Sequence, residues 1–174
     1  MPVFFWNDPD GSKYFNSYFD TFPGVWRHGD WLLITNRETL VILGRSDATL
    51  NRQGIRIGTS EIYRSVEKLP EIADSLIVDI EQADGTSRMP LYVVLAAGVV
   101  LDDALKSKIA RTLRTDFSPR HVPDEIIAVP EIPYTISGKK MELPVKKILM
   151  GKPVEEAANP GAMRNPASLR YFLK

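Results

Sequence analysis

A helical repeat in the middle of the chain, with strand-length apolar runs on both sides of it, most limits the possible folds. Apolar residues recur at every fourth position from Leu101 to Phe117, a spacing that places them on one face of a helix. Asp102 lies at the start of this stretch, and Arg111 and Arg114 lie near its end, as the helix dipole favours. We therefore predict a helix over residues 102–117 with one buried face.

Other short patterns surround this helix in a regular order. Turn-forming residues separate apolar runs that are long enough for strands. Thr59 can cap a further helix, whose apolar face contains Ile62, Tyr63, Val66 and Leu69. The predicted strands cover residues 31–35, 39–43, 76–80, 91–96 and 126–129, and a last helix covers 143–149. The resulting order of elements predicts an α+β fold, a small mixed sheet with packed helices.

The two ends of the chain have a different composition. Residues 1–30 hold many aromatic side chains without a regular period, so we expect them to be the edge of something larger. After Gly151 the sequence turns to Pro, Ala, Asn and Gly. We expect residues 151–174 to form an extended tail.

Composition excludes several classes of function. Lys plus Arg and Asp plus Glu both total 22, so the balance supports neither a nucleic-acid surface nor a polybasic membrane patch. The absence of cysteine excludes disulfides and thiolate sites, and His28 and His121 are too few for a histidine-rich metal site. No apolar run approaches the roughly 20 residues that span a bilayer. We expect a cytoplasmic protein with no metal site, in which both histidines are structural or surface residues.

Three segments carry groups suited to chemistry: residues 26–30, residues 44–63 and residues 133–140. Taken singly, each has an ordinary interpretation, namely a turn with a solvated carboxylate, a polar loop with arginines, and a lysine-bearing loop. The last segment is not a phosphate-binding Walker motif. That motif would require glycine at Pro133 and a hydroxyl at Lys140.

Taken together, the three segments resemble the adenylate-forming superfamily of acyl-CoA synthetases, adenylation domains and luciferases. The diagnostic part is Gly-Arg-x-Asp at residues 44–47, Gly-x-Arg-Ile at 54–57 and Glu-Ile at 61–62. Residues 3–11, 22–30 and 132–140 are most similar to the branch that activates acetoacetate. The resemblance covers essentially the whole chain. It implies the end of a large adenylating domain at 1–46, followed by a mobile C-terminal lid domain at 47–150.

The resemblance also implies roles for single residues. Lys139 matches the catalytic lysine that bridges the acyl carboxylate and the α-phosphate of ATP. The other matches are Asp30 and Arg45 for the nucleotide, Asp47 for the hinge, and Gly54, Arg56 and Arg114 for CoA. For Arg114 the alternative to CoA binding is a structural role, as a positive charge at the C-terminal end of a helix. Lys140, next to Lys139, is expected to be solvated. The implied substrates are acetoacetate, ATP with Mg, and CoA.

Two departures and one absence qualify this interpretation. Glu142 stands where many relatives have a basic residue, and Asn51 where many have lysine. No segment resembles the phosphate-binding loop, adenine pocket or acyl pocket of the large domain. We therefore expect the chain to need that N-terminal domain as a partner and to be inactive alone. A stand-alone CoA- or nucleotide-binding module, a different short-chain acyl-CoA synthetase and a non-catalytic relic stay open.

Overall fold

The computed structural model of the protein describes residues 1–46, 49–52, 55–82 and 86–173, apart from the side chain of Leu43. The predicted hinge residue Asp47 and the predicted CoA residue Gly54 lie outside the described residues. The chain divides into two compact units, Met1–Asp30 and Trp31–Lys174. The boundary at Asp47 that the resemblance implies stays a prediction.

The first unit is held by aromatic contacts around one short helix, α1 (Ser12–Tyr18). The Asp8 carboxylate accepts hydrogen bonds from the backbone amides of Lys13 and Tyr14, both at 2.9 Å, and so fixes the start of the helix. The rings of Phe5, Tyr14 and Tyr18 meet edge to face, with centroids 5.3–5.8 Å apart. No residue of α1 is buried. This unit therefore has an aromatic cluster but no closed core.

The second unit contains the mixed sheet that the pattern predicts. Its central sheet has the order β5-β8-β9, with β5 antiparallel and β9 parallel to β8. The strands are β1 (Asp30–Ile34), β2 (Leu40–Arg45), β3 (Leu50–Arg52), β4 (Ile55–Ile57), β5 (Ile72–Ile77), β6 (Ile80–Glu81), β7 (Ser87–Arg88), β8 (Pro90–Leu95) and β9 (Glu125–Ala128). The helices are α2 (Thr59–Val66), α3 (Asp103–Asp116), α4 (Glu142–Leu149) and α5 (Val154–Ala157).

Both faces of the central sheet are buried. Consecutive residues of β8 point to opposite faces, and Leu91 and Tyr92 accordingly join two different apolar clusters. The first cluster contains Leu91 and α3, which buries Leu105, Ile109 and Leu113. The second contains Tyr92, α4 and residues near the end of the chain. Helix α3 is therefore positioned by the four-residue repeat in its sequence.

Strands β1 and β2, which correspond to the predicted strands 31–35 and 39–43, pair as a two-stranded hairpin. The Thr35 amide donates to the Thr39 carbonyl at 2.9 Å, and Glu38 takes a positive φ of 58° in the turn. Apolar side chains on both faces of this hairpin are exposed to solvent: Trp31, Leu32, Leu33, Ile34, Leu40, Val41 and Ile42. A two-stranded sheet with two exposed apolar faces is marginally stable by itself. The hairpin therefore offers a surface suited to burial.

Of the two residues predicted at the starts of helices, Asp102 and Thr59, only the first caps its helix in the structure. Asp102 caps α3, since its carboxylate accepts the Leu105 amide at 2.8 Å. The prediction that Thr59 caps α2 is wrong, because Gly58 occupies the cap position and Thr59 is the first helical residue. The Thr59 hydroxyl instead lies 3.5 Å from the carboxylate of Glu142.

The segment after Gly151 is not the extended tail that its composition suggested. It forms α5 and two 3₁₀ helices, Pro160–Ala162 and Pro166–Phe172, each of which begins at a proline. Met163, Leu169 and Phe172 are buried in the second cluster, and the Phe172 ring lies 4.8 Å from that of Tyr92. The short helical turns place these three apolar residues on one side, which composition alone does not reveal.

Candidate functional site

The predicted catalytic residue Lys139 lies at the end of a tight hairpin turn. The Thr135 amide donates to the Lys139 carbonyl, and the Gly138 amide donates to the Thr135 carbonyl, both at 2.9 Å. Gly138 has a φ of 80°, the left-handed conformation that completes a three-residue hairpin loop. The Lys139 amide donates to the Thr135 hydroxyl at 2.9 Å. The local sequence therefore fixes the backbone on both sides of Lys139.

The side chain of Lys139 is exposed. Within the described part of the chain, no hydrogen bond or ion pair holds its ammonium group. A lysine in this state is a mobile positive charge that can meet an anion. The geometry therefore suits a cation presented to a ligand and not a structural ion pair.

Lys140 is the reverse case, and the expectation of a solvated neighbour is wrong. Its side chain is only 15% exposed, and its ammonium donates to Glu67 at 2.5 Å, to Asp74 at 2.7 Å and to the Ser75 carbonyl at 2.5 Å. The ammonium also lies 4.1 Å from the centroid of the Tyr63 ring. Three acceptors use all three of its hydrogens, so Lys140 attaches the hairpin to α2 and β5.

The Tyr134 hydroxyl strengthens the same attachment. It donates to both oxygens of Asp74, at 2.8 and 3.0 Å. Burial, followed by these bonds to a carboxylate, raises the pKa of Tyr134, which keeps the hydroxyl protonated and donating. Nothing in the sequence near Lys139 signals these partners, because they lie in α2, in β5 and in the residue that follows α2.

Glu142, one of the two departures from the common pattern, lies between α4 and α2. Its carboxylate accepts the Tyr63 hydroxyl at 3.1 Å. Burial raises the pKa of Glu142, and the bond from Tyr63 only partly offsets that effect. The residue therefore takes part in packing the last helix and does not contact the Lys139 ammonium.

The β3–β4 hairpin carries Arg56, the predicted CoA-binding residue. The Arg56 guanidinium lies over the ring of Trp31, 4.3 Å from its centroid, and its side chain is exposed. The backbone amide of Asn51 donates to the carboxylate of the buried Asp79 at 3.0 Å. The guanidinium of Arg52 pairs through two nitrogens with the carboxylate of Asp124. These bonds hold β3, so Arg56 projects from an anchored hairpin.

The structure describes the local surroundings of three further predicted residues. Arg45 ends β2, where its carbonyl accepts the Thr49 hydroxyl, and Arg114 is exposed in the last turn of α3. In the first unit, the His28 Nδ1 lies 2.6 Å from a carboxylate oxygen of Asp30. Each open cleft described on the surface lacks all of these residues and Lys139 as well.

His121 lies in the second unit, in the short 3₁₀ helix Pro119–His121. Its Nδ1 is 3.0 Å from the Ser118 hydroxyl, its Nε2 is 3.4 Å from the Glu61 carboxylate, and its ring stacks on Phe117. Over the described residues, no cluster of acidic or histidine side chains could hold a metal ion. Over the same residues, no helix combines the length and apolar character needed to cross a membrane.

Fold and sequence together define the class of the protein. Residues 62–139 match the C-terminal domain of AMP-binding enzymes, and the mixed sheet with its packed helices is the fold of that domain. The chain therefore contains the C-terminal domain of the adenylate-forming, AMP-binding enzymes.

Within that class, the chain is similar to acetoacetyl-CoA synthetases. The one from Rhizobium meliloti is 50% identical over 172 residues, 99% of this chain and 26% of the relative. That from Danio rerio is 47% identical over 99% of this chain and 25% of its own length. The structure of acetoacetyl-CoA synthetase from Streptomyces lividans matches with a TM-score of 0.90 and 56% identity, over 99% of this chain and 26% of that one. The chain thus spans about a quarter of the length of these relatives and corresponds to their carboxy-terminal portion.

Proposed function

We propose that this chain is the carboxy-terminal portion of an ATP-dependent acetoacetate–CoA ligase. The full reaction converts acetoacetate, ATP and CoA to acetoacetyl-CoA, AMP and diphosphate. The observation that carries the proposal is the exposed ammonium of Lys139, which is unpaired among the described residues, on a hairpin with a fixed backbone. The similarity to acetoacetyl-CoA synthetases over 99% of the chain supports acetoacetate as the substrate.

Lys139 acts in the first half-reaction, in which the acyl carboxylate attacks the α-phosphate of ATP and diphosphate leaves. Two anions must approach each other, so a cation between them reduces their repulsion and aligns them. The same cation stabilises the negative charge that builds up on phosphorus in the transition state. An ammonium already held in an internal ion pair could do neither. The exposed Lys139 is therefore suited to this step, and the held Lys140 is not.

The nucleotide and CoA contacts follow from the chemistry of the other predicted residues. Asp30 accepts the ribose hydroxyls, because a carboxylate is an acceptor-only group, and Arg45 offers a planar fork of donors to anionic oxygen. In the second half-reaction the CoA thiol displaces AMP. Arg56 and Arg114 then meet the phosphates of CoA, and Gly54 leaves room for the thiol arm.

The chain acts together with a large N-terminal domain, which supplies the phosphate-binding loop, the adenine and acyl pockets and the Mg that accompanies ATP. Asp47 provides the hinge through which the lid domain changes position between the two half-reactions. The exposed apolar faces of the β1–β2 hairpin support this proposal, because Leu33 and Ile42 are 52% and 69% exposed. Exposed apolar surface of this extent marks a site of interaction. The chain alone is expected to be inactive, and a cytoplasmic location stays a prediction.

A chimera tests the proposal, with this chain replacing the matching portion of the Streptomyces lividans enzyme. The folded chimera should exchange diphosphate with ATP in the presence of acetoacetate. Lys139→Ala should reduce that exchange by roughly 100-fold or more, yet it should spare thioester formation from preformed acetoacetyl-adenylate. Lys152→Ala, at an exposed lysine that faces Glu156, is the matched control.

Two outcomes would contradict the proposal. A folded chimera whose exchange does not depend on Lys139 would remove the catalytic role. Turnover by the isolated chain, or micromolar binding of CoA to it in calorimetry, would instead indicate a module that works alone.

A further inference from the structure

The hairpin that carries Lys139 cannot be held in place by its own hydrogen bonds alone. Its loop residues Ile136 and Ser137 are exposed. Its two sides are joined around the Tyr134–Lys140 bridge by backbone bonds from the Thr135 amide to the Lys139 carbonyl at 2.9 Å and from the Met141 amide to the Pro133 carbonyl at 3.1 Å. A two-stranded hairpin of this size is marginally stable in water. Since the position of Lys139 matters for its chemistry, something further must hold the hairpin.

The segment near the end of the chain supplies a third strand. The Ile136 amide donates to the Ala162 carbonyl at 3.0 Å, and the Arg164 amide donates to the Tyr134 carbonyl at 2.9 Å. Thr135 and Met163 form the antiparallel bridge between these bonds. The hairpin is thus attached to α2 and β5 through Lys140 and to residues 162–164 through its backbone.

Asn165 completes this attachment with its side chain. Its carbonyl oxygen accepts the Tyr134 amide at 2.9 Å, and its amide nitrogen donates to the Glu131 carboxylate at 2.9 Å and to the Ile132 carbonyl at 2.8 Å. One side chain therefore bonds three residues of the segment that leads into the hairpin, Glu131, Ile132 and Tyr134. Only an amide offers an acceptor and two donors in this arrangement.

Asn165 is itself held from the far side. Its backbone carbonyl accepts both the hydroxyl and the amide of Ser168, at 2.6 and 3.0 Å, and Ser168 is fully buried. Leu169 and Phe172 follow in the core. Residues 165–172 are thus packed against the core, and Asn165 joins them to the hairpin that carries Lys139.

We infer that Asn165 is a positioning residue for Lys139, through which the last residues of the chain set the efficiency of adenylation. The inference rests on the proposed function. Catalysis by charge placement is sensitive to small displacements. Loss of the three Asn165 bonds loosens the hairpin without removing the ammonium. Only the rate of the half-reaction that uses Lys139 should fall.

The test measures both half-reactions separately in the chimera described above. Asn165→Ala should lower kcat for diphosphate exchange by roughly 10- to 100-fold, with KM for ATP changed less than about 3-fold, whereas thioester formation from preformed adenylate should stay within about 2-fold. Asn159→Ala is the matched control. That asparagine caps only its own 3₁₀ turn through the Gly161 amide, and both rates should stay near those of the parent.

A second control separates positioning from general destabilisation. Leu105→Ala lowers the stability of the chain by a change in the other apolar cluster, the one that contains α3. When this variant and Asn165→Ala are assayed well below their melting temperatures, Leu105→Ala should not slow diphosphate exchange selectively. The inference is overturned if Asn165→Ala slows both half-reactions equally or leaves both unchanged. If Lys139→Ala itself spares the exchange, the proposed function fails instead, so the two failures are distinguishable.

Discussion

Lys139 and Lys140 are consecutive in the sequence, but their ammonium groups have opposite environments. Lys140 is held by Glu67, Asp74 and the Ser75 carbonyl, while Lys139 is exposed. In an antiparallel bridge, neighbouring side chains point to opposite faces. The residue that faces the sheet therefore anchors the hairpin, and the next one towards solvent keeps its charge available.

This difference predicts different effects on stability. Lys140→Met should destabilise the chain by about 2 kcal/mol, because it leaves two neighbouring carboxylates without their cation, in a site that still has partial solvent access. Lys139→Met should change the free energy of unfolding by less than about 0.5 kcal/mol. Urea denaturation of both variants measures the two values, and equal losses would contradict the assignment of roles.

The pH dependence of stability should report on Glu142. Burial raises its pKa in the folded chain, so the folded state binds the proton more tightly than the unfolded state does. The contribution of Glu142 to stability therefore increases as pH falls through the raised pKa towards the ordinary carboxyl value. In Glu142→Gln this contribution should disappear.

The comparison is made by urea denaturation of the two proteins between neutral and mildly acidic pH. At neutral pH the free energy of unfolding of the glutamine variant should equal that of the parent or exceed it by at most about 1 kcal/mol. The hydrogen bond is kept, because the glutamine side-chain carbonyl can still accept the Tyr63 hydroxyl. The difference should shrink on acidification. A difference that grows on acidification would mean that the folded pKa is lowered.

Asp124 should have the opposite pH dependence. The hydrogen bonds from Arg52 lower the pKa of Asp124, against the effect of burial, and the Met89 amide adds a further bond. Its stabilisation is present above the ordinary carboxyl pKa and is lost as pH falls through the lowered value. Asp124→Asn should cost about 1 kcal/mol at neutral pH, since the pair is partly exposed.

Urea denaturation at neutral pH and near the lowered pKa measures this effect. The cost of Asp124→Asn should diminish at the acidic end. Glu125→Gln is the control, because its pair with Arg88 is 44% exposed on both sides and should matter little. A cost that is independent of pH would show that the carboxylate charge is not the cause.

Gly138→Ala tests the turn next to Lys139. Its φ of 80° is unfavourable for alanine, and the added Cβ would lie 3.1 Å from the Arg164 guanidinium. The expected loss of stability is about 1–2 kcal/mol. Gly98→Ala has the same backbone strain at φ 79° with open space around the Cβ, so it should cost a similar amount.

Activity distinguishes these two glycine variants. In the chimera, Gly138→Ala should lower diphosphate exchange several-fold because it distorts the loop that presents Lys139. Gly98→Ala should leave that rate unchanged at temperatures where both variants are folded. Equal rates in the two variants would mean that the loop conformation does not set the position of the lysine.

The sequence alone determined the elements whose signals are local. The repeat that buries Leu105, Ile109 and Leu113 is contained within one helix, and the order of elements led to the α+β fold. The motif around Lys139 predicted a catalytic role for that residue through the family resemblance, which needs no coordinates. The interpretation of the segment after Gly151 failed because composition does not show which apolar residues share a face.

Tertiary structure decided which charges are held and which are available. Lys140 bonds Asp74, which lies 66 positions away in the sequence, and Asn165 bonds the Tyr134 amide from 31 positions away. No periodicity or short motif can encode such pairs, because they form only when the sheet, α2 and the end of the chain pack together. The free energy that keeps the lysine hairpin in place therefore comes from long-range contacts, whereas the helix and turn patterns come from neighbours in the chain.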